Sequence, residues 1–344
     1  MHLSLVQKVL VVSVGLAGGL SAQSLSLLRA PVPGESLQGS DLAMDYTFQE
    51  HEDGSILTAD EEGTYFFADF QEYVQSSFFQ HHGLRCGTDR LPQFWALGTP
   101  ADCNGSNTTI KPEYDPSTGV YTIPVWFHVL MNKRGTLGVV SDAQITQQVA
   151  VLNSTFASSN VQFVHAGTTC SKNNTWYNDG GTYYNTLARD VLNNLNIYTN
   201  LAGGNLGYAY VPSGGGVVGN KWDRVVIYYR TIGNPAPYGA PYHLGLTTTH
   251  EVGHYLGLYH TFQGGCAAAS NCAHNGDLVC DTNPEGSPNF SPCTRSSACG
   301  AWLDPTANYM DYSDDVCMTG FSSNQKNRMR CTISNVRTGL ITYP

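Results

Sequence analysis

One segment of eleven residues, 250–260, restricts the fold and chemistry of this 344-residue chain more than any other feature. Its first two histidines, His250 and His254, are four residues apart, so on a helix both imidazoles lie on one face. Gly257 permits a backbone turn with positive φ, which would return His260 as a third nitrogen ligand. Three histidines leave one position of a tetrahedral zinc ion open, as in catalytic sites, and Glu251 could reach a water bound there. The alternatives are a helix with surface histidines and a structural zinc site closed by a fourth protein ligand.

The charge distribution divides the chain into two parts. Residues 23–115 contain four basic and fifteen acidic residues, whereas residues 116–344 contain twelve of each. Neither part has a basic stripe, which argues against a nucleic-acid partner. Charged residues make up 13% of the chain and glycines number 36, a composition that excludes a coiled coil and a charge-driven disordered protein.

The first residues predict export. Lys8 precedes an apolar run over residues 9–20 that ends in small residues, so residues 1–22 are predicted to be a secretory signal peptide. The alternative, a membrane anchor, would need a run of about 20 apolar residues. We therefore expect a secreted, extracellular protein with no membrane attachment after cleavage. Four sequons agree with export and are candidate glycosylation sites: Asn104, Asn107, Asn153 and Asn173.

Strand and helix patterns are mixed in the main domain. A β-branched and aromatic run predicts a strand from Tyr121, and a capping box at Ser141 predicts a helix to about Phe156. The acidic and aromatic stretch over residues 60–79 is predicted to be helical. Further strands are predicted over residues 161–165, 195–199 and 224–229. Cysteine, proline and glycine then replace regular patterns after Phe262. The expected fold class is α+β.

The zinc motif resembles that of the metzincin metalloproteases, and Asn308-Tyr309-Met310-Asp311-Tyr312 resembles their Met-turn. Within the metzincins, three strings are similar to the pappalysin family, including its fungal and microbial extracellular metalloproteases. The strings cover residues 250–266, 276–282 and 308–329, within a resemblance that spans roughly 121–335. It implies a zincin-like catalytic domain over 116–344, preceded by a propeptide over 23–115. Its upper part, to about 257, would contain a twisted mixed sheet and the active-site helix, and its lower part, 258–344, would be irregular and disulfide-rich.

The resemblance also implies a role for each residue of the site. The zinc ligands would be His250, His254 and His260. Glu251 would be the general base that takes a proton from the attacking water. Met310 would form an apolar floor beneath the metal, and Tyr312 would donate to the developing oxyanion. The alternative for Tyr312 is a buried tyrosine bonded to the backbone.

Cys86 lies in a second informative segment, Arg85-Cys86-Gly87-Thr88. A thiolate is a good zinc ligand, so a propeptide cysteine could fill the open zinc position. Pappalysin-like zymogens carry a similar Cys-Gly-Thr string, which implies a cysteine switch. The alternative is a disulfide between Cys86 and Cys103, because the eight other cysteines can pair among themselves.

By similarity to the family, Cys266 would pair with Cys293, and Cys280 with Cys317. The remaining pairs, Cys272–Cys299 and Cys170–Cys331, would follow by elimination. Some family members bind calcium near the loop that contains three possible oxygen ligands, Asp277, Asp281 and Thr282. The alternative for these side chains is turn capping.

The pocket for the residue after the scissile bond would be shaped by the loop that follows the Met-turn. In family members that prefer a basic residue there, an acidic side chain precedes the cysteine that corresponds to Cys317. This chain has Val316 at that position, which predicts a broader or more apolar preference.

The predicted function is that of a secreted zinc endopeptidase made as a latent zymogen. Its partners would be protein or peptide substrates and its own propeptide, its cofactors one zinc ion and possible calcium, and its oligomeric state a monomer. The alternatives are an adhesion or inhibitor-binding module on an inactive protease scaffold, and a zinc hydrolase that acts on a small amide. Glu251, Tyr312 and the three histidines argue against the inactive binding module, because an inactive copy has no reason to keep the base.

Overall fold

The computed structural model describes residues 44–90, 103, 112–212, 217–221, 223–266, 272, 276–290 and 293–341. The predicted signal peptide and the sequons at Asn104 and Asn107 lie outside these residues. No helix within the described ranges is long and apolar enough to cross a membrane.

The described part of the acidic segment contains a three-stranded antiparallel sheet and two short helices. They are β1 (Thr47–Glu50), β2 (Ile56–Asp60), β3 (Gly63–Phe67), α1 (Phe70–Val74) and α2 (Ser77–His81). The single helix predicted over residues 60–79 is therefore wrong. Asp60 Oδ1 accepts hydrogen bonds from the backbone N–H groups of Glu62 and Gly63, at 2.9 and 3.0 Å, and so closes a hairpin. Exposed Phe66 and buried Phe67 then alternate as in a strand.

The upper part of the main domain is built on a five-stranded sheet with the order β5-β4-β6-β8-β7. Four strands run parallel, and β7 pairs with β8 antiparallel at one end of the order. The strands are β4 (Tyr121–Met131), β5 (Val161–Lys172), β6 (Leu195–Asn200), β7 (Gly207–Ala209) and β8 (Val225–Tyr228). The helices are α3 (Asp142–Thr155), α4 (Asn174–Tyr177), α5 (Tyr183–Leu187) and α6 (Leu246–Tyr255).

Several local predictions are confirmed. The capping box forms at Ser141, whose hydroxyl accepts from the backbone N–H of Gln144 at 3.3 Å, while Gln144 Oε1 accepts from the Ser141 N–H at 3.0 Å. Ile145 and Leu152 bury one face of α3. The predicted α+β fold with a mixed sheet agrees with the structure.

The lower part has one long helix, α7 (Ser323–Asn335). Two buried arginines, one in the middle of α7 and one just after it, donate to carbonyl groups at the end of α6. Arg328 Nε donates to Gly257 O and Arg337 Nε to Tyr255 O, both at 2.7 Å. Cations stabilise the negative end of a helix, so α7 supports the active-site helix at its C-terminus.

Candidate metal centre and active site

Every residue of α6 is buried, and the helix presents His250 and His254 one turn apart. Gly257 has a φ of +96°, and a Cβ there would lie 2.6 Å from Thr332 Oγ1. The turn is closed by bonds from Gly257 N to His254 O at 2.8 Å and from Leu258 N to Gly253 O at 3.0 Å. A glycine is therefore required both for the conformation and for the close approach of α7.

The turn brings His260 back to the other two histidines. The Nε2 atom of His254 lies 3.1 Å from that of His250 and 3.0 Å from that of His260. Two nitrogen ligands of a tetrahedral zinc ion are about 3.3 Å apart, so the spacing suits a shared metal.

The outer nitrogens of the rings are held by oxygen acceptors. Nδ1 contacts Tyr309 O at 2.7 Å in His250, Leu258 O at 2.9 Å in His254 and Asp89 Oδ2 at 3.1 Å in His260. A carbonyl oxygen only accepts, so the Nδ1 atoms of His250 and His254 carry the protons and their Nε2 lone pairs face one another. Burial also lowers the pKa of both rings well below its usual value, which keeps them neutral. Buried lone pairs that converge in this way fit a zinc ion.

The Met-turn lies directly beneath α6. Met310 is fully buried, and a Cβ added to Gly253 would lie 2.5 Å from its Sδ atom. Asn308 supports the turn, because its Oδ1 accepts from the backbone N–H of Met310 at 3.0 Å. The Tyr312 ring packs against His260 with centroids 5.0 Å apart.

Cys86 is placed against the three histidines. Its Sγ atom and one ring nitrogen of each of His250, His254 and His260 all lie within 4.8 Å of one another, and all four residues are buried. The Cys86 thiol is free of disulfide bonding and lies 3.4 Å from Glu251 Oε2. Burial raises the pKa of Glu251 to about 8.

The segment around Cys86 follows strand β7. Leu206 N donates to Leu84 O, and Gly87 N donates to Gly207 O, both at 2.8 Å. Ala209 N then donates to Thr88 Oγ1 at 3.1 Å. The two segments therefore run in the same direction, with the acidic segment laid across the metal centre.

The Tyr312 hydroxyl donates to Cys86 O at 3.1 Å, a bond to the backbone as in the alternative considered for Tyr312. Two contacts of this segment were not predicted from the sequence: Asp89 contacts the zinc-ligand candidate His260, and Thr88 Oγ1 donates to Glu251 Oε2 at 3.3 Å. Their proximity to the Cys86 motif was the available signal, but the sequence does not indicate which group each one meets.

Arg85 fills a buried pocket beside the metal centre. Its guanidinium lies 3.8 Å from Asp315 Oδ1, with both side chains fully buried, and its Cζ atom lies 4.9 Å from the centre of the Tyr242 ring. Val316, which was predicted to line the pocket for the residue after the scissile bond, has a side chain that is 59% exposed, whereas Asp315 is buried. Both residues lie in a 3₁₀ turn, Asp315–Cys317, in which successive side chains point about 120° apart. A buried acidic side chain therefore lies one position before Val316.

The predicted disulfide pairings are wrong, although Cys266, Cys293, Cys280 and Cys317 are all bonded. The bonds are Cys103–Cys331, Cys266–Cys299, Cys272–Cys280 and Cys293–Cys317. The Cα atoms of each pair are 5.0–5.4 Å apart, within the range that a disulfide requires. The Cys86–Cys103 alternative fails for the same reason, since Cys103 pairs with Cys331 and leaves Cys170 exposed with a free thiol.

The carboxylates of the candidate calcium loop make hydrogen bonds within the protein. Asp277 Oδ2 accepts from Thr282 Oγ1 at 2.6 Å, and Asp281 Oδ1 accepts from Ser322 Oγ at 2.6 Å. Asp281 Oδ2 also accepts from Asn324 N at 2.9 Å, at the start of α7. Asp277 Oδ1 also caps its own turn by accepting from Val279 N at 3.1 Å, whereas the partners of Asp281 belong to the start of α7.

The asparagines of the two sequons within the described residues also make hydrogen bonds to the backbone. Asn153 Nδ2 donates to Phe163 O at 3.0 Å, and its Oδ1 accepts from Phe163 N at 2.7 Å. Asn173 Oδ1 caps α4 by accepting from Thr175 N at 2.9 Å. A glycan on Asn153 would have to displace the contact with β5.

Comparison with known proteins identifies the family. A family model described as pregnancy-associated plasma protein-A, a peptidase family, matches residues 172–334. Extracellular metalloprotease 1 of Coccidioides posadasii is 37% identical over 222 residues, which cover 63% of this chain and 78% of that protein. The chain belongs to the pappalysin family. An extracellular metalloprotease of Verticillium alfalfae is 41% identical over 219 residues, or 60% of this chain and 74% of the relative.

Solved pappalysin structures agree with the fold. Mature mirolysin of Tannerella forsythia in complex with a cleaved peptide aligns with a TM-score of 0.55 and 28% identity, over 65% of this chain and 97% of mirolysin. A promirolysin mutant aligns with a TM-score of 0.55 and 26% identity, over 70% of this chain and 90% of that chain. The metzincin-type fold is therefore confirmed. As a pappalysin, this chain is a secreted zinc metalloendopeptidase that acts on peptides, and the binding-module and small-amide alternatives are not supported.

Proposed function

We propose that this pappalysin is made as a latent zymogen in which Cys86 supplies the fourth ligand of the catalytic zinc. The observation that carries the proposal is the buried group of Cys86, His250, His254 and His260, whose ligand atoms lie within 4.8 Å of one another. The free state of the Cys86 thiol supports it as well. A thiolate in the open position would exclude water from the metal.

Glu251 and Tyr312 are proposed as the catalytic side chains. Bound by the three histidines, zinc would supply Lewis acidity for activating water and polarising a carbonyl. Glu251 Oε2 lies 3.4 Å from Cys86 Sγ, so a water in the place of that sulfur would be near proton-transfer reach of the carboxylate. The Tyr312 hydroxyl donates to the Cys86 carbonyl oxygen, which stands in for a substrate carbonyl. Loss of such a donor typically costs about 10²–10³ in rate.

Arg85 supports a preference for a basic residue after the scissile bond. The buried guanidinium next to Asp315 marks a pocket that accepts a long cationic side chain. The backbone N–H of Leu244 holds Asp315 Oδ2 at 2.8 Å, so the carboxylate is fixed at the pocket wall. A mature enzyme with this pocket empty would favour Arg or Lys over an apolar side chain.

The remaining expectations stay predictions. They comprise calcium binding, glycosylation and a monomeric state, and the division between propeptide and catalytic domain is considered in the next subsection. The contacts of Asp277 and Asp281 give calcium no added support.

Activity and its chemistry are tested together on the exported protein. The processed enzyme should cleave a fluorogenic peptide library in a reaction that 1,10-phenanthroline abolishes, and Glu251→Gln should lose cleavage while retaining zinc. A Glu251→Gln enzyme with native rates would contradict the assigned base. The same library reads out the preference for the residue after the cut, and a uniform preference for apolar residues would contradict the Asp315 pocket.

The cysteine ligand is tested by spectroscopy, separately from activity. The unprocessed protein loaded with Co²⁺ in place of zinc should show a thiolate-to-cobalt charge-transfer band. Cys86→Ser should remove the band, whereas Cys170→Ser, which replaces the other free thiol, should leave it unchanged. A band that persists in Cys86→Ser would show that Cys86 is not a ligand.

A further inference from the structure

Cys103 is attached to the last long helix of the catalytic part, although it falls within the predicted propeptide. The Cys103–Cys331 disulfide joins cysteines 228 positions apart, with Cα atoms separated by 5.4 Å. Cys331 lies in α7, and both cysteines are buried. Arg328, in the same helix, donates from Nη1 to the carbonyl oxygen of Cys103 at 2.8 Å. Both the backbone and the side chain of Cys103 are therefore held by α7.

The described chain that follows is held by the same helix. Arg330 Nε donates to Tyr114 O at 3.1 Å, and Asn335 Nδ2 donates to the Tyr114 hydroxyl at 2.8 Å. Arg330 Nη2 also donates to Thr118 Oγ1 at 2.9 Å. Cys86, Thr88 and Asp89 contact the histidine cluster and Glu251 instead. Attachment to α7 is therefore already present at Cys103 and does not begin at residue 115.

We propose that Cys103 belongs to the mature enzyme and that the activating cut falls before it. The inference rests on the proposed latency. A cut after Cys103 would hydrolyse a peptide bond but leave the two fragments joined through Cys331. A cut before Cys103 leaves no such bond, because the prosegment's other cysteine, Cys86, has a free thiol.

A cut before Cys103 and a cut after it should differ in effect, because they leave different effective concentrations of the prosegment at the cleft. A prosegment tethered by a short connection faces the cleft at roughly millimolar effective concentration. After a cut before Cys103, its concentration is that of the assay, for example about 10 nM, which is roughly 10⁵-fold lower than the tethered value. Dilution should therefore release the prosegment in one case and not in the other.

The experiment uses two variants of the full chain, each with an inserted recognition sequence for a site-specific protease. One insertion lies between Arg90 and Leu91, and the other between Lys111 and Pro112. Each protein is purified uncut, cut to completion and assayed with a fluorogenic peptide over a dilution series. We expect the first cut to give specific activity that rises on dilution. The second should give a protein that remains inactive at every dilution and runs as one species on a non-reducing gel.

A matched pair of substitutions isolates the disulfide. Cys103→Ser combined with Cys331→Ser, in the variant cut before Pro112, should convert its dilution behaviour to that of the first cut. If that protein does not fold, comparison of the two cut variants that keep the disulfide still tests whether the prosegment is released only by a cut before Cys103. Equal activation by both cuts with the disulfide intact would overturn the inference while leaving latency in place. Full activity of the uncut proteins would instead overturn the proposed latency.

Discussion

Glu50, which lies well before Cys86 in the sequence, is expected to be a second anchor of the prosegment on the main domain. Its buried carboxylate accepts from the hydroxyls of Tyr177, Tyr228 and Tyr229 at 3.0, 2.9 and 2.6 Å. Arg230 donates to the same carboxylate from Nε at 2.9 Å and also from Nη2. All four donors belong to the main domain, so one prosegment carboxylate satisfies a cluster of buried groups.

Glu50→Gln should weaken this attachment strongly. The amide keeps the shape of the side chain but removes the charge opposite Arg230, whose guanidinium would be left buried without a counter-charge. Breaking a buried ion pair on one side costs about 3–5 kcal/mol, and the lower figure corresponds to a roughly 150-fold weaker complex. The matched control is Glu52→Gln, because the Glu52–Arg134 pair is exposed and such pairs contribute about 0–1 kcal/mol.

The measurement uses the protein cut between Arg90 and Leu91. The concentration at which half of the peptidase activity appears on dilution gives the dissociation constant of the prosegment. We expect it to rise roughly 150-fold for Glu50→Gln and less than about 5-fold for Glu52→Gln. Similar shifts for the two variants would refute the anchoring role of Glu50.

Three further predictions concern specificity, pH and the turn. Asp315→Asn should lower kcat/KM for peptides with Arg after the scissile bond by about 30-fold or more, since a buried charge loses its partner; equal losses for Leu peptides would contradict the pocket. Burial and the Asp311 carboxylate raise the pKa of Glu285 from its usual 4.5 to about 9. The stabilising effect of its proton is therefore complete below pH 4.5 and is lost as pH rises toward 9. Melting curves should show the advantage of Glu285→Gln over the native protein growing from pH 5 to 8, and parallel pH profiles would contradict this. Gly257→Ala should destabilise the fold by about 2 kcal/mol and reduce bound zinc, and a native zinc content and melting temperature would contradict the argument from its φ of +96°.

The metal centre was predictable because its geometry is local. The spacing of His250 and His254 requires only a helix, and the return of His260 requires only the turn at Gly257, whose φ is +96°. The capping box at Ser141 was predictable for the same reason, since each of its contacts spans three residues. Such patterns depend on rules that act within one or two turns of a helix.

The disulfide pairing and the burial of Asp315 were not predictable from local patterns. Elimination among the cysteines assumed that those of the main domain pair with one another. Cys103 instead meets Cys331 across 228 positions, a proximity that no local pattern encodes. The sequence likewise does not show that Val316 is exposed while Asp315 is buried, because the orientation of the 3₁₀ turn alone distinguishes the two neighbours.

The proposed latency would involve separate contacts of the prosegment with each group of the proposed active site. The Tyr312 hydroxyl donates to the Cys86 carbonyl, the Thr88 hydroxyl donates to Glu251, and the Asp89 carboxylate contacts His260. Without the prosegment these three side chains would face water or substrate, so the prosegment satisfies buried polar atoms in addition to the proposed blocking of the metal. Because the contacts are spread over several residues, removal of the Cys86 thiol alone would leave most of them in place. Under the proposed latency, activation would therefore require the segment to leave the cleft, and the position of the cut relative to Cys103 would decide whether it can leave.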